Sequence, residues 1–453
     1  MPARSRTQPP KYFTLFWVVG WGSGLVRPLK FVWKSEFPNG LLDDKPISLG
    51  LILMFKRLFN RQSDPLHIAS VEDPESFAGI VRLKLKLDRP SALSILSSEA
   101  EAPETHLGAF GAEEVVVNIH THLLPAGKNS ITIRQMCEDG QVFSKKLDLE
   151  VAHRGALHGQ VARAMRDHGT PTFFAGHCDS RLYPYDAHSA WFDRPDALDH
   201  IAHLLEEGRV DQTEADNLRQ FVEQGFLILE DLIDAELVGQ VNAEIDAAIA
   251  SGYQGYEYGS SQRIEHLHLH YSAIRKLWLD ERHRRYVDLI FAARARPCQT
   301  LTYVFGSQQG MHQDTIHLTP FPAGYMCGTW IALQDIQPDS GELLVYPGSH
   351  RQKRARMADH DMPKITNGEW TDFVEVVGAE WARMAKKYEP VVYRPRQGTV
   401  LIWHENLLHA GSERKDLTVP RRSIVIHSFA DGAVGYYDST GLNASAASMA
   451  VCQ

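Results

Sequence analysis

The sequence predicts a mostly β protein with flanking helices, built as a small N-terminal β-sandwich followed by a larger antiparallel sheet or barrel. Three observations predict it. Short strand-like stretches with turn signals fill Leu66 to Val151, a helix–strand–helix pattern starts near Asp196, and a strand-rich body runs from Thr300 to Phe429. At 453 residues the chain is long for one domain. The expected division is an apolar and basic segment 1–64, a sandwich 65–152, a linker 153–195, a barrel domain 196–440 and a tail 441–453.

Bulk composition narrows the function classes. A formal net charge of -9 supplies no large basic field, so nucleic acid is not an expected partner. Five scattered cysteines, never paired as CxxC, fit a reducing, cytoplasmic compartment better than a disulfide framework or a thiolate zinc site. Tyr12 to Val26 carries no charge and follows Arg4, Arg6 and Lys11, but at about 15 residues it is too short to span a bilayer and is broken by Gly20, Gly22 and Gly24. With a second apolar run, Ile47 to Phe59, it is read as core packed on a neighbouring domain; the alternative is peripheral membrane contact through residues 12–61.

In the sandwich, Val81-Arg82-Leu83-Lys84-Leu85-Lys86-Leu87 alternates apolar and polar with period two, as a half-buried strand does. Val115 to Leu123 is a second strand, Pro125 to Asn129 a turn, Ile131 to Ile133 a third strand, and Asp139-Gly140 a hairpin turn. This spacing suggests an immunoglobulin-like sandwich. His120 and His122 are one residue apart, but no carboxylate or third histidine in suitable context follows, so they are read as ordinary strand residues. The linker is expected to hold one helix over Gln160 to Asp167; its His177-Cys178-Asp179 lacks a partnered base and is given no catalytic role. Beyond Asp196, Thr213 is the expected N-cap of a helix that Gly225 closes, Phe226 to Leu229 a buried strand, and Glu236 to Ala250 a helix with Leu237, Val241, Ile245 and Ile249 on one face.

The chemistry is expected in Leu301 to His317. His312 and Asp314 lie one residue apart and on an extended strand would project to the same side. With a second histidine they would make two histidines and one carboxylate on one face of a metal, the set of non-haem Fe(II) oxygenases. Met326 to Ile336 and Glu342 to Tyr346 flank a Pro338 to Gly341 turn and read as a hairpin. Much later, after the strand Thr399 to His404, His409 is the candidate third ligand, which requires the sheet to fold back on itself. Arg421 opens the last apolar strand, placed to fork onto a carboxylate, and Ser412 could add a hydroxyl donor. Each signal alone is common; their order is not.

That order resembles the phytanoyl-CoA dioxygenase-like family of Fe(II)/2-oxoglutarate oxygenases over roughly Glu206 to Tyr437, through H-Q-D-T, W-I-A-L-Q-D-I, G-E-L-L-V-Y-P-G-S-H and L-L-H-A-G-S with its trailing R-R-S-I. The resemblance implies a double-stranded β-helix (jelly-roll, cupin-like) barrel, Fe(II) held by His312, Asp314 and His409, 2-oxoglutarate anchored by Arg421 rather than Arg422, Trp330 and Ser412 lining the co-substrate pocket, and O2 as oxidant. It implies hydroxylation of a small metabolite, lipid or glycan-type substrate with release of succinate and CO2. Asp314 argues against a halogenase, which vacates the carboxylate position. His317, Tyr303, His404 and the H-L-H-L-H run of His266, His268 and His270 with Tyr271 are candidate pocket groups, the three histidines expected on one strand face. The insertion Arg351 to Pro395 reads equally as a lid or a solvated helical excursion. Two other classes stay open: a catalytically inactive barrel acting as a binding or scaffold protein, and a non-oxidative cupin-type metalloenzyme. Oligomeric state is not legible.

Overall fold

The computed structural model describes residues 65–72, 77–98, 103–187 and 189–444. The expected segment 1–64, with both apolar runs, and most of the tail lie outside the described residues. Among those described, no helix is long and apolar enough to cross a membrane.

The period-two stretches form two antiparallel sheets. Strands β1 (Leu66–Glu72), β2 (Ile80–Leu87), β5 (Glu114–His120) and β8 (Phe173–Ala175) pair in the order β1-β2-β5-β8. The second sheet has the order β4-β3-β6-β7, from β3 (Ser91–Ser97), β4 (Glu104–Phe110), β6 (Gly127–Cys137) and β7 (Val142–Val151). Leu83, Leu85 and Leu87 of β2 meet Leu93, Ile95, Ile131 and Ile133 of the other sheet in one core, while Lys86 stays exposed. The alternation thus buries one face of each sheet against the other.

The stretch 153–195 carries more structure than a linker. It forms a helix, His158–His168, and strand β8, then buries Tyr183, Tyr185, Trp191 and Phe192 in the same core as the helices that follow. Trp191 Nε1 donates to the Ile290 carbonyl at 2.7 Å. The sandwich is also docked directly on the barrel, where Gly435 N donates to Ala78 O at 2.9 Å.

The helical opening follows the sequence reading with one shift. The helix Gln212–Gln224 is capped by Asp211, not Thr213, because Asp211 and Glu214 form a reciprocal capping box. Gly225 ends it at φ +84°, β9 (Phe226–Leu229) follows, and Asp234 caps Ala235–Ala250.

The body comprises β10 (Ile264–Glu265), β11 (Ala295–Tyr303), β12 (Thr319–Phe321), β13 (Met326–Ala332), β14 (Leu343–Val345), β15 (Val391–Tyr393), β16 (Val400–His404), β17 (His409–Gly411) and β18 (Ser423–Ala430). A six-stranded sheet runs β10-β11-β18-β13-β16-β9, and a three-stranded sheet β15-β14-β17 shares a core with its inner face. This corrects the expected hairpin: β13 and β14 sit in different sheets, so the turn between them crosses from one face of the barrel to the other. The H-L-H-L-H run is not a strand face either. The strand stops at Glu265, His266 takes φ +57°, and Leu267–Leu269 is a 3-10 turn that buries His268 against Trp278 and leaves His270 exposed.

The insertion 351–395 packs rather than floats. Trp370, Phe373, Trp381 and Met384 are buried in the core that contains Trp330 and Trp403.

Candidate metal centre

The strand β11 ends at Tyr303, and the chain then loops back so that His312 pairs with His409. His312 N donates to His409 O at 3.0 Å and His409 N to His312 O at 3.1 Å. A directly opposed antiparallel pair carries its side chains on one face, and the two imidazole centroids are 4.2 Å apart. Asp314 is not on a continuous strand with His312, as expected, but begins the 3-10 turn Asp314–Ile316. The intervening Gln313 points into the wall, donating to Asn406 O at 3.2 Å and accepting from Trp381 Nε1 at 3.0 Å. Asp314 Oδ1 lies 3.5 Å from His312 Nε2 and 3.7 Å from His409 Nε2. One potential ligand atom from each of the three residues falls within 4.8 Å of the others, the only such group among the described residues.

The hydrogen bonds around the imidazoles set their tautomer. His312 Nδ1 faces the Gly310 carbonyl at 2.8 Å and His409 Nδ1 the Leu407 carbonyl at 3.0 Å. A carbonyl can only accept, so each Nδ1 carries a proton; both Nε2 atoms face Asp314, and that of His312 also accepts from the Gln309 amide at 3.2 Å. Burial, helped by His312, pushes His409 down to about 4 and keeps it neutral. Burial alone would raise Asp314, but the imidazoles of His409, His312 and His427 outweigh it and hold the carboxyl well below the usual range. Two imidazoles and one carboxylate around a common point can hold a divalent cation.

These residues line a cavity of about 400 Å³, counted out to its solvent mouth, whose wall also includes Tyr303, Trp330 and Arg421. Arg421 is only 2% exposed. Its Nε has no hydrogen-bond partner, and among the described residues no carboxylate lies within ion-pair distance of the guanidinium. The group sits 5.5 Å from the Tyr303 ring and 5.8 Å from the Trp330 ring, and burial pushes it down to about 10. A buried cation without a partner is costly unless an anion joins it. Trp330 Nε1 is likewise buried and unpartnered.

Other expected site residues fall elsewhere. Arg422 turns outward to Asp246 and Asn242. Ser412 Oγ donates to Glu342 Oε2 at 2.9 Å and is not among the residues lining the cavity. His317 is packed against Trp370 and Phe373, and His404 pairs with Asp193 at 3.2 Å. Cys178 is buried and its thiol pushed up to about 12, which suits no nucleophile. Trp403 and His427 line the cavity and touch Asp314, and sequence reasoning gave them no role.

Residues 221–422 match the sequence model of the family described as phytanoyl-CoA dioxygenase (PhyH). The C-terminal half of the chain is therefore similar to that family. The mouse phytanoyl-CoA dioxygenase domain-containing protein 1 is 32% identical over 126 residues, 27% of this chain and 40% of that protein. The chain therefore spans about two fifths of that relative's length. The ectoine dioxygenase of Nocardia farcinica is 26% identical over 246 residues, 48% of this chain and 77% of that protein. Among solved structures, the non-haem α-ketoglutarate-dependent carbocyclase SnoK from nogalamycin biosynthesis aligns with TM-score 0.40 and 18% identity, covering 51% of this chain and 88% of that one.

Proposed function

We propose that the C-terminal domain is a non-haem Fe(II)- and 2-oxoglutarate-dependent dioxygenase that hydroxylates a small metabolite, lipid or glycan-type substrate. The observation that carries this reading is the buried Arg421, without a hydrogen bond at Nε or an ion-pair partner among the described residues, in the same cavity as the His312, Asp314 and His409 group. A scaffold has no need of such a cation, and a non-oxidative metal site has no need of a second anion anchor beside the metal. Bound Fe(II), with 2-oxoglutarate and O2, supplies oxidative decarboxylation to succinate and CO2 coupled to C–H oxidation.

The chain's own residues have separate tasks. His312 and His409 offer Nε2 because backbone carbonyls hold their Nδ1–H groups. Asp314 brings the negative charge. Arg421 takes the distal carboxylate of the 2-oxo acid as a fork, with Trp330 and Tyr303 excluding water beside it. The insertion 351–395 covers the ligand loop through the Trp381 to Gln313 hydrogen bond.

The N-terminal strand order, β1-β2-β5 facing β4-β3-β6-β7, supports an immunoglobulin-like sandwich; we assign it docking or substrate presentation. Four buried free cysteines among the described residues support a reducing, cytoplasmic setting. The test is succinate formation from 2-oxoglutarate with Fe(II). The parent is expected to turn over, if only uncoupled from substrate, and His312→Ala is expected to lose it. Turnover untouched by that substitution overturns the ligand assignment, and no metal-dependent turnover across a substrate screen favours the scaffold.

A further inference from the structure

Asp314 has two carboxylate oxygens, and the structure treats them differently. Oδ1 faces both ligand histidines, at 3.5 and 3.7 Å. Oδ2 accepts a 2.7 Å hydrogen bond from the indole N–H of Trp403 and lies 3.5 Å from His427 Nε2. The first contact is a short charge-assisted hydrogen bond inside a buried site; the second is longer than a hydrogen bond but still orients charge. Gln299 donates its amide N–H to His427 Nδ1 at 2.9 Å, so the His427 proton sits on Nε2, the nitrogen turned to Asp314.

Trp403 and His427 reach the same oxygen because of the residue between them. Three neighbouring strands, β16, β13 and β18, put Trp403, Gly328 and His427 side by side in register. A Cβ built on Gly328 would lie 2.2 Å from the Trp403 indole Cε2 and 2.5 Å from its Nε1. No side chain fits there, so the indole can lie across the central strand and aim its N–H at Asp314. The two rings lie 6.3 Å apart and edge-on, and each turns a ring nitrogen to Oδ2, at 2.7 Å from Trp403 and 3.5 Å from His427.

We infer that Trp403 and His427, meeting across Gly328, are positioning residues that tie up Asp314 Oδ2 and leave Oδ1 as the single oxygen offered to a metal. The inference rests on the metal-centre reading and deepens it. A carboxylate tied through one oxygen binds through the other alone and leaves a coordination position for reactants, whereas a released carboxylate is free to use both. Gly328 has its role through Trp403 and touches no ligand itself.

Co(II) titration of the full-length apo protein, read by d–d absorption, tests this without turnover. Trp403→Phe keeps the ring and removes the N–H. It is expected to stay folded by circular dichroism, bind Co(II) about 10- to 100-fold more weakly, and shift the d–d bands towards the weaker absorption of higher coordination. Gly328→Ala, which displaces the indole, is expected to match it. If Trp403→Phe does not fold, a folded Gly328→Ala is read in its place. Parent-like affinity and absorption in a folded Trp403→Phe, beside loss of binding in His312→Ala, overturns the clamp and leaves the metal centre standing. A parent that does not bind Co(II) overturns the metal centre and the clamp with it.

Discussion

The sandwich and the barrel each carry a histidine followed, one residue on, by another potential ligand: His120 with His122, and His312 with Asp314. Both pairs are buried, and burial pushes His120 and His122 to about 4, the same as His409. Burial and depressed basicity therefore do not separate a structural histidine from a candidate ligand. Where the ring nitrogens point does. His120 spends both ring nitrogens, on Pro171 O at 2.7 Å and Tyr183 OH at 2.8 Å, and His122 gives Nε2 to Gly432 O at 2.8 Å. His312 and His409 give Nδ1 to backbone carbonyls, and their Nε2 atoms converge on one carboxylate oxygen, that of His312 also accepting from the Gln309 amide at 3.2 Å. The first pair fastens the sandwich to its neighbours. The second is left with capacity for a cation.

The largest effect that could break this contrast comes from Asp314→Ala, which is expected to abolish Fe(II)-dependent succinate formation, by about 10³-fold or more, with the protein still folded by circular dichroism. His120→Phe should do the reverse: metal affinity by Co(II) titration stays at the parent value, while unfolding in urea shows a loss of about 1–3 kcal/mol from the unsatisfied Tyr183 and Pro171 groups. Equal loss of metal affinity in both variants would erase the distinction.

Arg421→Gln is expected to raise the KM for 2-oxoglutarate on the order of 10²-fold, in line with losing a buried charge-assisted contact of about 2–5 kcal/mol. Arg422→Gln, whose parent side chain pairs outward with Asp246, should change it by less than about twofold. A larger effect at Arg422 than at Arg421 would reverse the assignment.

Acid should strike the structural pair. His120 and His122 titrate near 4 when folded and near 6.5 when unfolded. Above pH 6.5 neither state binds the proton and nothing is lost. Between 6.5 and 4 the unfolded chain takes up protons that the folded chain refuses, so stability falls with pH by about 1.4 kcal/mol per unit for each such histidine. Urea midpoints measured across that range should drop steeply in the parent and less in His120→Phe. The smallest change is expected from Ser412→Ala: because its hydroxyl holds Glu342, the KM for 2-oxoglutarate should move by no more than about threefold.

What was legible in the sequence was whatever is local or strongly ordered along the chain. The period-two leucines of β2, the Gly225 stop, the Asp234-led helix and the apolar strand after Arg421 all appear where the pattern put them, because backbone propensity and one-sided burial act within a few residues. Errors arose where one local pattern fits two geometries. The H-L-H-L-H alternation reads as a strand, yet His266 in the left-handed region breaks it, and the strand–turn–strand at Pro338 reads as a hairpin, yet its halves join different sheets. Ser412 sits in a familiar motif position but turns to a buried glutamate invisible from its neighbours in sequence.

By itself the sequence determined which groups were on offer: two imidazoles, a carboxylate and a guanidinium in a fixed order along the chain. Only the tertiary structure decided which of their atoms are spent and which remain. The Nε2 lone pairs are set by carbonyls at Gly310 and Leu407, the state of Arg421 by the lack, among the described residues, of a carboxylate within ion-pair distance, and the chosen oxygen of Asp314 by cross-strand register through Gly328. The physical reason is range: side-chain identity is written residue by residue, whereas hydrogen-bond partners across strands are fixed by register and closure, which no local pattern encodes.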